Sequence, residues 1–458
     1  MKSNHIQHLY WRVGFGILPT KLKNLSKKKK AEVVNSLLKA SDSVTPLTVD
    51  TADIQALLSG SLETIKANRM KVQKLSREKT KQLNVAWINR LSNTDEILRE
   101  KMTLFWANHF VCKDNNFLYA QNFHNTLRKH ALGNFKDFVN AISKEAAMTK
   151  YLNTKQNRKQ KPNENFAREL MELFTLGVGN YTETDIKESA KAFTGYSHNL
   201  QGEFVLRQRQ HDNTNKTFFG KTGNFSGEDI IDIILEEKQC AKYICEKIYS
   251  YFVNENLDQS HISQMVNTFY PDYNIKKLMR FVLMSNWFYD DKNIGTKIKS
   301  PIEFIVGIKT IVPFQFKTNK RLLYLQKLLG QVLLDPPNVA GWKGGRNWID
   351  SNTIVLRLKL PSLLLNNAYI SKAKEGQEHN VQAQKAMFKK RFGKFYQTNA
   401  NWEFFNKNFK SVEVESLVAH IISCPLNPEA ATYLNTLAKV SKQEYCIQLM
   451  SLPEYQMC

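Results

Sequence analysis

The apolar positions of this chain recur mostly at helical spacing. Leu22, Leu25, Val33, Val34, Leu37 and Leu38 follow it and predict a basic amphipathic helix over 20–40. Residues 41–53, rich in Ser, Thr and Asp around Pro46, read as a loop. Over 54–91 the helical period continues, but the apolar stripe is thin and Lys and Arg are many. That pattern predicts an exposed helix or helical hairpin. Asn93 with Glu96 three residues on is a capping signal that opens a helix towards Phe110. Helical periodicity resumes over 118–152, broken near Gly133, and a polar basic loop runs from 153 to 163. Residues 164–176 predict a helix stopped by Gly177 and Gly179. Thr182 with Asp185 caps the next helix, Ser226 with Asp229 opens a long one towards Val253, and Ser300-Pro301-Ile302-Glu303 starts another with Pro at its first position.

Residues 200–227 break the pattern, and a short strand pair is placed there, from Phe204 to Arg207 and around Phe218-Phe219. A Pro/Gly/Trp loop spans 335–350. The reading is mainly α: a large multi-helical domain with a short irregular or β-hairpin insertion near 200–225 and a small helical C-terminal tail. Four stretches are expected. They are a basic helical region at 1–92, a helical core at 93–370, a charged linker at 371–395 and the tail at 396–458.

Composition sharpens this picture. Gly (19) and Pro (12) are together about 7% of 458 residues, too few turn residues for a propeller or sandwich. No apolar run reaches the ~18 residues of a membrane span. The net charge is +23, but 50 of the 65 basic residues are Lys and they are spread along the chain. Arg dominates where phosphates and base edges are read bidentately, so binding to nucleic acid or an anionic surface ranks as the lesser alternative. The six cysteines form no CxxC and stand beside no His-x-His, so neither a disulfide framework nor a zinc finger is indicated. Met1-Lys2-Ser3-Asn4-His5 lacks the basic-then-apolar pattern of a leader, and the expectation is a cytoplasmic chain with scattered buried thiols.

Candidate chemistry lies in a few places. On the helix over 164–176, Asn165, Glu169 and Glu172 share a face at 100° per residue. Glu169 and Glu172 repel unless something intervenes. A bound divalent metal would do so, since carboxylates with nearby His build metal sites in helical bundles. Arg168 would do so as an ion-pair ladder with Glu164 and Glu172, which the spacing favours. His109 closes an apolar helix beside Trp106 and Phe110 and reads first as a hydrogen-bonded core residue. His211-Asp212 lies in a loop after Arg207 and Arg209, where it could bind metal or form an oriented base. Asp185 and Glu188 could extend a carboxylate cluster. Gly220-Lys221-Thr222 is not a P-loop, because Asn215 stands where the first Gly is required. The tryptophans of the 335–348 loop either plug the core or wall a binding site.

Several ordered segments resemble one family. They are Glu100-Lys101-Met102-Thr103-Leu104-Phe105-Trp106-Ala107-Asn108-His109-Phe110; Asn163-Glu164-Asn165-Phe166-Ala167-Arg168-Glu169-Leu170-Met171-Glu172-Leu173-Phe174-Thr175-Leu176-Gly177; Tyr181-Thr182-Glu183 with Asp185; Ala192-Phe193-Thr194-Gly195; His211-Asp212; Lys299-Ser300-Pro301; Pro336-Pro337-Asn338-Val339-Ala340-Gly341-Trp342; and Pro453-Glu454-Tyr455-Gln456. From about Leu9 onward the chain resembles the bacterial domain-of-unknown-function family 1800. The resemblance implies a large, mainly helical domain of unassigned activity. It also implies a functional pairing with a sulfatase-like protein of domain-of-unknown-function family 1501. Ala107 stands where the family often has the first of two histidines, so any metal site built on that pair lacks a ligand here.

Two readings follow. In one the chain is a non-enzymatic partner or scaffold for the sulfatase-like neighbour, and its motif residues are caps and ion pairs. In the other, His109, Glu169, Glu172, His211 and Asp212 converge on a divalent metal in a hydrolytic or oxidative enzyme, with His211, Asp212 and Glu169 as the catalytic candidates. The first is favoured because Ala107 removes a potential ligand.

Overall fold

Two helices are buried on nearly every side and set the rest of the fold around them. In Ile97–Ala107 every residue from Leu98 onward is buried, and in Pro301–Ile311 all but Lys309 and Thr310 are. A helix of this kind belongs in the middle of a domain. The computed structural model describes residues 1–366, 398–437 and 440–458, with the side chain of Leu62 left out. The structure is 62% helical, about twice the usual share, and most of the described buried apolar residues form one contiguous core. The described strands make three separate antiparallel pairs. The fold is therefore the mainly α architecture that the periodicity implies. The expected linker at 371–395 lies outside the described residues.

The buried charges on Ile97–Ala107 are each satisfied, as burial requires. Arg99 donates to the carbonyls of Ser41 (3.0 Å) and Arg128 (2.7 Å). Glu100 accepts from Arg128 Nε at 2.6 Å and from Trp87 Nε1 at 3.0 Å. Lys101 reaches across to the other central helix and donates to Glu303 Oε1 at 2.6 Å.

Several element boundaries depart from the sequence reading, each for a local reason. The helix expected over 20–40 is two, Pro19–Ser26 and Lys30–Ala40. The break falls in the lysine run, where Glu32 accepts from the Lys29 N–H and starts a new N-terminus. The stretch after 51 holds three helices, Ala52–Leu58, Leu62–Ala67 and Arg69–Ser92. The last is not merely exposed: Leu83, Trp87, Ile88 and Leu91 bury its second half. Glu96, not Asn93, is the residue before the next helix, and its N–H is taken by Thr94 Oγ1 at 3.1 Å. The long helix after Ser226 is Gly227–Glu236 and Lys238–Phe252, broken at an extended Glu237. The insertion holds two hairpins in place of one pair. Tyr196–His198 pairs with Phe204–Leu206, and Lys216–Phe218 with Lys221–Gly223. The capping boxes at Thr182/Asp185, Ser226/Asp229 and Ser300/Glu303 form as expected.

The described part of the tail carries the helices Trp402–Asn408, Val418–Ile421, Pro428–Thr436 and Lys442–Met450, and it binds back into the body of the protein. The strand Thr398–Ala400 pairs with Phe314–Phe316. Cys458 and Lys297 exchange backbone hydrogen bonds of 2.8 and 3.1 Å, and the Lys299 N–H donates to the Gln456 carbonyl at 2.8 Å. The segment 297–303, which forms part of the site described next, is thereby held from behind.

Candidate functional site

The helix over 164–176 changes character halfway. Asn165–Glu169 is α-helical, and Leu170–Thr175 is wound as a π-helix. The 100° spacing used to place Glu169 and Glu172 on one face therefore fails after Glu169. Arg168 does not join Glu164 to Glu172. It forms a bidentate pair with Glu183 at 2.7 and 2.8 Å and lies 3.6 Å from Glu164. Glu172 instead accepts from the Tyr181 hydroxyl at 2.7 Å. Glu169 is half-buried, and burial together with the charge of Glu172 pushes its carboxyl above the usual range. Asp185 caps its helix and accepts from the Phe219 N–H, while Glu188 pairs with Lys191 at 2.6 Å.

His211 is buried, with Nδ1 2.8 Å from the Thr194 carbonyl. Asp212 folds over its own loop and accepts from the Thr214 N–H and hydroxyl. Burial opposes its ionisation, but the Thr214 donors and the Lys216 charge outweigh burial and hold the carboxyl below its usual value. His109 sits elsewhere, ringed by Phe105, Trp106, Phe110 and Phe174. Among the described residues no three His, Cys, Asp or Glu side chains are grouped so as to hold a metal ion.

What the fold does bring together is a cleft of about 450 Å³. The end of the central helix supplies Asn108 and His109, the π segment supplies Leu173, and Lys238–Phe252 supplies Tyr243 and Lys247. Ser300 and Glu303 come from the start of the second buried helix. The 335–348 loop contributes Trp342 and Lys343. Four of the segments on which the family resemblance rests thus line one space, although they lie far apart in sequence.

Orphan carbonyls organise one wall. The last carbonyls of any helix lack partners within it. Here the Phe174 carbonyl is 3.0 Å from His109 Nε2, and the Leu173 carbonyl accepts from the Tyr243 hydroxyl at 3.1 Å. The π segment thereby fixes two cleft side chains at once. The opposite wall is clamped by Asn108, whose amide donates to the Trp342 carbonyl (3.0 Å) and accepts from its N–H (2.7 Å). Gly341 beside it has φ +76°, and a Cβ there would collide with Asn108 Oδ1. Trp342 and Trp348 are both nearly buried and both line the cleft, so they form part of its wall.

The floor is a buried charge network. Glu303 lies between Lys101 at 2.6 Å and Lys297 at 3.6 Å, and its second oxygen accepts from the Ser300 N–H at 2.7 Å. Burial pushes this carboxyl up, but the two ammonium groups prevail and hold it well below the usual carboxylate range. Lys297 stacks over the Tyr251 ring at 3.7 Å, and burial lowers its pKa against the pull of Glu303. Burial, with the charge of Lys247 added, lowers His109 to about 3, so its ring is neutral at physiological pH. The composition pattern did not single out Lys101, Glu303, Lys247 or Lys297. A charge inside an otherwise apolar helix was the available signal for the first two. Lys247 and Lys297 carry no comparable mark.

Fold and cleft together define a mainly helical protein whose separated sequence signatures meet at one polar, aromatic-walled site. A family model described as a protein of unknown function (DUF1800) matches residues 8–457, and the chain belongs to that family. No curated protein and no solved structure matches it.

Proposed function

We propose that the chain is a binding protein for a small anionic ligand, held in the cleft where the family segments meet. One observation carries this reading: the lining has more cation than free carboxylate. Lys247, Lys297 and Lys343 line the space with Glu255 and Glu303, and Glu303 is already engaged by Lys101 and Lys297. Lys247 and Lys343 have no ion-pair partner among the described residues. A cation set in a partly enclosed, aromatic-walled site attracts anions more strongly than one on open surface. This keeps the non-enzymatic class expected from the sequence and gives it a defined contact.

Calorimetric titration with phosphate, sulfate and simple carboxylates tests the proposal. Saturable binding is expected, weakening as salt rises and falling at least about tenfold (about 1.4 kcal/mol) in a Lys247→Met/Lys343→Met variant. Absence of saturable binding, or binding indifferent to that variant, overturns the reading. The sequence also offers a sulfatase-like partner and, as the alternative, a divalent metal. Elemental analysis of the purified protein and a pulldown with that neighbour test them directly.

A further inference from the structure

His109 has one ring nitrogen committed and one free. A carbonyl oxygen can only accept, so the contact of Nε2 with the Phe174 carbonyl places the ring proton on Nε2. In the neutral ring Nδ1 then carries a lone pair. Among the described residues that atom has no hydrogen-bond partner. It is also not enclosed, unlike Nδ1 of His8 and of His124, which are buried without partners. Since His109 lines the cleft, this lone pair is presented to whatever the cleft holds. The burial that keeps the ring neutral at physiological pH keeps Nδ1 an acceptor.

Lys247 is near enough for its charge to act on the His109 ring. The Tyr243 ring joins the two: its centroid is 6.4 Å from that of His109, and the Lys247 ammonium lies 5.0 Å over it. Tyr243 is itself fixed by its bond to the Leu173 carbonyl. A hydrogen-bond acceptor and a cation with no ion-pair partner among the described residues thus both pack against the Tyr243 ring on one wall. A bare anion satisfies the cation and leaves the acceptor idle or opposed. A ligand with a hydroxyl close to its anionic group satisfies both.

We propose that His109 and Lys247 form a recognition pair selecting hydroxylated anions of the sugar-acid or sugar-phosphate kind. His109 Nδ1 accepts from a ligand hydroxyl, and Lys247 pairs with the acidic group. This rests on the anion-binding reading of the same cleft and names its ligand class. A polar site built to accept a hydroxyl penalises an analogue that lacks it, because the site's acceptor is then left unpaired.

The test is a calorimetric series on the unaltered full chain. Glucuronate and glucose 6-phosphate carry both features; hexanoate and butyl phosphate carry the anion alone; glucose carries the hydroxyls alone. At least one hydroxylated anion is expected to bind about tenfold or more tightly than its hydroxyl-free counterpart, and glucose only weakly. The carboxylate and phosphate arms tell the two sources of charge apart. In His109→Phe, which keeps a ring in place, the preference for hydroxyls disappears while weak binding of the plain anions persists. Plain anions binding as well as hydroxylated ones overturns the recognition pair and leaves the anion-binding reading standing. No binding by any anion overturns both. A hydroxyl preference that survives in His109→Phe removes His109 from the assignment.

Discussion

The charges buried between the two central helices decide stability residue by residue. Lys101 and Glu303 are 1% and 3% exposed at the side chain and 2.6 Å apart. Removing Glu303 strands both Lys101 and Lys297, and removing Lys101 leaves Glu303 only the more distant Lys297; breaking a buried pair costs about 3–5 kcal/mol, whereas replacing both members with apolar groups is often close to neutral. Denaturant melts of Lys101→Met, Glu303→Leu and the double variant should therefore show two large losses and a double variant far more stable than their sum. Strict additivity would mean the two are not coupled. Lys299 offers a second test at this scale. It is fully buried between the rings of Trp11 and Tyr455, each 3.7 Å away, and its ammonium donates to the Tyr455 carbonyl at 2.7 Å. Burial lowers it to about 7. Above that pH the folded chain has shed a proton that the unfolded chain keeps until about pH 10.4. The unfolded state then binds more protons, so stability rises with pH across that window. From pH 7 to 9 the wild type should gain about 2 kcal/mol relative to Lys299→Met. A constant difference between the two proteins across that range would count against a neutralising Lys299.

At the scale of elements, what was legible in the sequence is what is local. Ser300 and Glu303 announce a helix start, and the start is there, because a capping box involves four consecutive residues and their own backbone. The same Glu303 uses its other oxygen to hold Lys101, two hundred positions away, and no local rule reports that. The π winding of Leu170–Thr175 was equally invisible, since α- and π-helices draw on the same residues. Its consequence was an ion-pair ladder assigned to Glu172 where the structure has Tyr181. The cleft itself was legible only in pieces. His109 and the 335–348 loop were singled out, but their meeting through Asn108 depends on a clamp spanning 234 residues. That clamp makes a prediction about the loop as an element. Gly341→Ala adds a methyl at φ +76° that collides with Asn108 Oδ1, so both hydrogen bonds to Trp342 must yield. Limited proteolysis should then cut within 335–348 far faster than in the wild type, and anion binding should weaken together with it. Unchanged cleavage would show that the loop is held by its tryptophans alone.

Across the whole molecule, the back of the cleft is where distant parts of the chain are tied together. Arg12 of the first helix donates to the Asn293 carbonyl at 2.6 Å, just before the segment that carries Lys297 and Glu303. From the other side come Tyr455, Gln456 and Cys458. Gln456 Oε1 accepts from Arg357 Nε at 2.8 Å, and the Tyr455 ring packs edge-on against Trp11 and Phe304. None of these tail residues lines the cleft, yet each holds something that does or that lies directly beneath it. The molecule should therefore unfold as one unit, the tail included. Circular dichroism, which follows all the helices, and tryptophan fluorescence, which follows all seven tryptophans, Trp342 and Trp348 in the cleft wall, Trp11 behind it and Trp402 in the tail among them, should give coincident thermal transitions. Tyr455→Ala should shift both together, by the roughly 3–5 kcal/mol typical of emptying a buried aromatic site, and should weaken anion binding even though the residue touches no ligand. A tail that melts first, with the binding left in place, would mean that residues 451–458 merely rest on the core. Coincident loss would show that the cleft owes its shape to the far end of the chain.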